Sequence, residues 1–232
     1  MVSADSEQER EDALTMIAER IDTVARAVCE RHYLAPTQEH QLSAKLAEAI
    51  ERELVGFKAR WFTMGVAAQD FTDKGRGSWE RPTGADLYIS IVRSDQDEDN
   101  TFSKGMLVQS KWDRTFFPNR EELQQQCERM LARSRSSYVW VFGPNEVLSI
   151  DAKDVVSSMP LHGQTVGTQI ADGLRCHQGD VRIGRDTSKP LDRGLGDIMR
   201  ALAAEDFFVN KGLAITLVKR QRTGRPRRTR RR

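Results

Sequence analysis

Two runs, residues 84–92 (GADLYISIV) and 105–112 (GMLVQSKW), most constrain what this chain can fold into. Both are dense in large and β-branched apolar residues and lie next to turn-forming, polar stretches. They read as strands of one sheet. Alternation puts Leu87, Ile89 and Ile91 on one face of the first strand and Asp86, Tyr88 and Ser90 on the other. In the second strand Leu107, Gln109 and Lys111 share one face, and Met106, Val108 and Ser110 share the other. An amide and an ammonium two residues apart on an inner strand are costly to bury without partners. Asp86 is the obvious partner if the two strands are neighbours. Two readings follow. One is a satisfied Asp–Lys pair at the edge of the sheet. The other is a metal and phosphate site, in which an acid binds Mg²⁺ through oxygen. The neighbouring strand then adds an amide oxygen and a backbone carbonyl, and the lysine stabilises charge on the attacking water and the phosphate.

The remaining elements can be read around these strands. Leu14, Ile17, Ile21, Val24 and Val28 recur at helical spacing and predict a helix over residues 8–31. Pro36 ends it, and Thr37 offers an N-cap for a second helix over 38–55, with Leu42, Leu46, Ala49, Ile50 and Leu54 on one stripe. Residues 58–66 turn β-like. A helix is expected over 119–135, strands over 138–142 and 147–150, and a short helix over 151–158. Residues 160–192 are rich in Gly and polar types and read as loop or irregular chain. A helix over 192–205 and a strand over 207–218 follow. The order suggests a single α/β domain. It divides into an N-terminal helix (1–36), a core (37–150), a C-terminal elaboration of the same domain (151–218) and a basic tail (219–232).

Asp86, followed by Gln109-x-Lys111, resembles the signature of the PD-(D/E)XK nucleases. It is closest to the Mrr-like branch, in which Gln commonly replaces the second acid. The segment Glu80-x-x-Thr83-Gly84-Ala85-Asp86 is similar to the E-x-x-TGAD wording of defence-associated members, and the order of elements over roughly residues 40–150 resembles the family core. The resemblance implies a restriction-endonuclease-like fold, with a central mixed sheet flanked by helices. It also implies a Mg²⁺-dependent endonuclease acting on DNA, with Mn²⁺ as a substitute metal, in settings that include restriction and anti-phage defence. Asp86 would be the main metal ligand, with Gln109 beside it and Glu80 helping, and Lys111 would stabilise the transition state. The family also carries an acid on the helix before the first strand. Ala47-Glu48-Ala49-Ile50 matches that pattern best, so Glu48 is chosen as a further catalytic and metal-binding acid. Glu53, which falls within the apolar stripe, stands second, and Glu51 falls on the solvated side. The departure from the family's usual pattern is Gln109, whose uncharged amide leaves metal affinity to Asp86 and other acids.

Charge is distributed unevenly. The nine Lys/Arg from Lys219 onward leave residues 1–218 with 27 basic and 34 acidic residues, a net of −7. Such a tail reads as disordered. Arg225, Arg227, Arg228, Arg230, Arg231 and Arg232 are the expected nucleic-acid contacts, holding phosphates without reading sequence. No window reaches membrane-spanning length and the first residues lack a secretory pattern, so the expectation is a cytoplasmic protein with no membrane partner. Three cysteines with no CxxC argue for reduced thiols. Trp61, Trp79, Trp112 and Trp140 read as core or rim, and Gln124, Gln125 and Gln126 as a polar helix face. His162 and His177 fall in expected loops and receive no role. Besides the nuclease, two alternatives stand. One is a catalytically inactive module that binds nucleic acid through its tail. The other is an effector, with room for a homo-oligomer contact, that is silent until a partner or ligand arrives.

Overall fold

The computed structural model describes residues 4–35, 37–71, 85–95, 100–157 and 159–220. Eight strands form one mixed sheet in the order β1-β2-β8-β3-β4-β5-β6-β7. In chain order they are β1 (Lys58–Ala59), β2 (Phe62–Asp70), β3 (Ala85–Asp95), β4 (Asn100–Trp112), β5 (Ser137–Phe142), β6 (Val147–Asp151), β7 (Gly163–Thr165) and β8 (Val209–Lys219). The helices are α1 (Ala4–His32), α2 (Glu39–Leu54), α3 (Asp113–Phe116), α4 (Arg120–Arg133), α5 (Ala152–Val156), α6 (Val166–Leu174) and α7 (Leu191–Ala204).

The two strands that opened the sequence reading form an antiparallel pair, with Leu87 opposite Val108 and Tyr88 opposite Leu107. β5 lies parallel to β4, a pairing that needs the crossover α4 provides. Alternation then sorts the sheet's side chains into two layers. Leu87, Ile89, Ile91, Met106, Val108, Leu213 and Ile215 pack with α1, α2 and α6. Tyr88, Leu107, Val139 and Ala214 pack with α4, α5 and α7. The stripe expected on the first helix is buried: Leu14, Ile17 and Ile21 are fully enclosed. Each such side chain contributes roughly 1.5–3 kcal/mol relative to exposure.

Three expectations are corrected. Thr37 is not the cap of α2: Gln38 holds that position, without a side-chain cap bond. The backbone carbonyl of Thr37 instead accepts a bond from the Trp112 indole at 3.3 Å. Residues 160–192 are not irregular, for they contain β7, α6 and a 3₁₀ turn at Val181–Ile183. α6 is short and rich in small residues, and it exists because it is packed: Gly167 lies against α1, and Gln169 accepts a bond from the buried Trp140 indole at 2.7 Å. The C-terminal segment, expected as an elaboration added to a core of residues 37–150, supplies a strand of the core sheet itself. β8 lies between β2 and β3, antiparallel to the first and parallel to the second, in the interior of the sheet.

The tryptophans behave as core or rim where they are described: Trp112 and Trp140 are buried, and Trp61 is 43% exposed with its indole donating to Glu9 at 3.0 Å. Trp79 lies outside the described residues. The three cysteines are free thiols; burial, the largest influence, pushes Cys29 and Cys127 up to about 12. Among the described residues no helix is long and apolar enough to cross a membrane.

Candidate functional site

Asp86 begins the inner part of β3, and Gln109 and Lys111 end β4. Because the strands are antiparallel, these positions meet at one end of the sheet. Continuing the register puts Asp86 opposite Gln109, on the layer facing α4 and α7. All three are buried. The Gln109 amide Nε2 donates to Asp86 Oδ2 at 2.8 Å, and the backbone N–H of Ser110 donates to the same oxygen at 2.8 Å. Burial pushes the Asp86 carboxyl up from 3.8 to about 6; the Ser110 N–H, the Lys111 charge and the Gln109 amide oppose that rise, while Glu39 adds to it. Gln109 Oε1 is buried and has no hydrogen-bond partner among the described residues.

Lys111 does not bond Asp86 directly. Its ammonium binds Glu39 Oε2 at 3.0 Å. Glu39 is the first residue of α2, and its other oxygen accepts from the Trp112 N–H at 3.4 Å and from the Thr115 hydroxyl. α2 covers the opposite layer of the sheet, so only its first turn can reach round the sheet end to Lys111. Glu48, nine residues further on, cannot. Its carboxylate binds Lys211 at 2.8 Å, and Asp70 binds the same ammonium at 2.8 Å. Lys211 pairs with Leu87 in register and so projects from the face away from Asp86. Burial opposes its charge, but the bonds and attraction of Asp70 and Glu48 outweigh that and raise its pKa.

The structure therefore brings Asp86, Gln109 and Lys111 together and leaves Glu48 in a second ionic cluster across the sheet. Glu53, the second candidate, binds Arg20 of α1 at 2.6 Å. Glu80 and Arg225, Arg227, Arg228, Arg230, Arg231 and Arg232 lie outside the described residues. Sequence reasoning missed Glu39, because an acid in a first helical turn is ordinarily explained by the helix dipole. It also passed over Lys211, although a lysine inside an apolar strand is the same signal that singled out Lys111. Gln124 donates to Val155 O of α5, and Gln126 donates to Glu122 within α4.

A divalent cation can be tested against these donors. Among the described residues no group of three His, Cys, Asp or Glu could hold a metal ion. The available donors are the Asp86 carboxylate and the orphaned Gln109 Oε1, both oxygen and both buried. Both are oxygen donors of the kind Mg²⁺ takes, and Mg²⁺ needs only one or two carboxylates.

The fold and site define an α/β protein with an Asp–Gln–Lys cluster at the end of a mixed sheet. The chain matches no family model, no curated protein and no solved structure.

Proposed function

We propose that this protein is a divalent-metal-dependent endonuclease acting on DNA, with a restriction-endonuclease-like core. The observation that carries the reading is the convergence of Asp86, Gln109 and Lys111 at one sheet end, with an oxygen of Gln109 left unbonded beside Asp86. Bound there, Mg²⁺ would supply Lewis-acid stabilisation of the phosphoryl group. The chain's own residues do the rest. Asp86, ionised for the most part at pH 7, supplies the anionic oxygens, and Gln109 and the Ser110 N–H fix their orientation. Lys111 presents a cation toward the charge that develops on phosphate. Glu39 is a positioning residue that holds the lysine at the sheet end. The arginines of the C-terminal tail retain DNA by phosphate contact. Restriction and anti-phage defence are the settings that suit such an activity, and a cytoplasmic location suits them.

Plasmid DNA with Mg²⁺, with and without EDTA, tests the proposal beside Asp86→Ala and Lys111→Ala. Metal-dependent cutting that both substitutions abolish supports it; cutting that survives either one overturns the assignment. Glu39→Gln should lower the rate by about 10- to 100-fold, the scale for a residue that orients another.

A second reading is favoured by the closure of the cluster on itself. Lys111 is paired with Glu39 and Asp86 with Gln109, as in a satisfied structural pair. In that case the protein is an inactive module that binds nucleic acid through its tail. Salt-sensitive DNA binding, without cleavage and lost on removing residues 221–232, distinguishes it.

A further inference from the structure

α1 and α2 cross the same layer of the sheet in opposite directions, with Arg20 near Glu53 at one end and His32 near Lys45 at the other. Between them runs a groove of about 440 Å³. Buried Val24, Val28 and Ala49 form its base, and the short, exposed side chains of Thr23 and Ala27 leave it open. This volume lies within the range of small-ligand sites, roughly 300–1,000 Å³.

The walls are charged unevenly. Arg20, Arg31, Lys45 and Arg52 line the groove against only Glu48 and Glu53. Both acids are already engaged, Glu48 by Lys211 at 2.8 Å and Glu53 by Arg20 at 2.6 Å. Among the described residues neither Arg31 nor Lys45 is paired with a carboxylate. Arg31 and Lys45 therefore concentrate positive charge at this end; burial first, and then these two cations, lower the pKa of the neighbouring His32. The Arg20–Glu53 ion pair bridges the two helices at the far end. A through-running polynucleotide would have to break that bridge, whereas a short ligand would not.

We propose that the α1–α2 groove is a binding site for a nucleoside phosphate. The phosphates would meet Arg31 and Lys45, and the base would lie over buried Val28 and Ala49. The site is separate from the Asp86 cluster and does not depend on nuclease chemistry.

Titration calorimetry with ADP tests it, using the full chain, Arg31→Ala/Lys45→Ala, and Arg129→Ala as a charge control on exposed α4. Expected are saturable one-to-one binding to the wild type and to the control, and a loss of about tenfold or more in affinity for the double variant. Adenosine alone should not bind. Asp86→Asn should bind as the wild type does. The His32 imidazole signals, assigned with His32→Gln, should shift on adding ADP to the wild type, which provides a readout if the double variant folds poorly. Absence of saturable ADP binding overturns the proposal. So does an equal loss in Arg129→Ala, or a DNA oligonucleotide that moves the His32 signals when ADP does not.

Discussion

Asp86 carries the clearest consequence at the scale of a residue. Its folded pKa of about 6 lies above its ordinary value of 3.8. Between those values the folded chain holds a proton that the unfolded chain has released, so this group's contribution to stability falls as pH rises from about 4 to 6 and stays low above that. Asp86→Asn removes the titration while keeping an oxygen to accept the Ser110 N–H. Relative to the wild type, the variant should gain up to about 3 kcal/mol between pH 4 and pH 7. Urea unfolding at the two pH values checks this, and a pH-independent difference would count against a buried carboxyl. Lys211 makes the contrast. Its partners Asp70 and Glu48 are exposed, with side chains 65% and 56% accessible, so water can take over when the ammonium is removed. Lys211→Met should shift stability by no more than about 1 kcal/mol, since an apolar side chain of similar volume can replace a buried ion. If the nuclease reading holds, Lys211→Met should leave cleavage intact where Lys111→Met abolishes it.

At the scale of an element, α6 is held by contacts that its own sequence does not advertise. Asp22 of α1 accepts the Gly167 N–H at 2.8 Å and the Thr165 hydroxyl at 2.7 Å, and Thr165 in turn caps the helix through the Thr168 N–H. A Cβ on Gly167 would sit 2.1 Å from the backbone oxygen of Ala18. Gly167→Ala should therefore push α6 off α1 and cost about 1–3 kcal/mol, the usual scale of overpacking. A lowered thermal midpoint with an unchanged far-ultraviolet dichroism signal at low temperature is the expected result. α6 was illegible in the sequence for this reason. Its Gly, Gln and Thr residues read as loop by composition, and only burial against α1 and Trp140 makes them helical. The long amphipathic α1 and α2 were legible because their apolar stripes carry the signal locally. Glu39 was not, since its role depends on where the first turn of α2 stops relative to the end of β4.

At the scale of the whole molecule, β8 ties the C-terminal segment to two strands from the first half of the chain. It supplies the hydrogen-bonding edge for both β2 and β3, and buried Leu213, Ala214, Ile215 and Leu217 feed both layers of the core. A chain truncated after Asp206 would leave two inner strands with open edges. It should lose its cooperative thermal transition and aggregate. Dichroism and size-exclusion chromatography would show this, and a truncated chain that melts cooperatively as a monomer would refute it. The sequence by itself determined the strand faces, the meeting of Gln109 and Lys111, and the helices with continuous apolar stripes, because each of these follows from a local period of two or of 3.6 residues. Only the tertiary structure decided that Asp86 lies opposite Gln109, that Glu39 rather than Glu48 is the α2 acid beside the cluster, and that β8 is an interior strand of the sheet. Those depend on strand register, on which layer a helix covers and on pairing between distant segments, none of which a local period encodes.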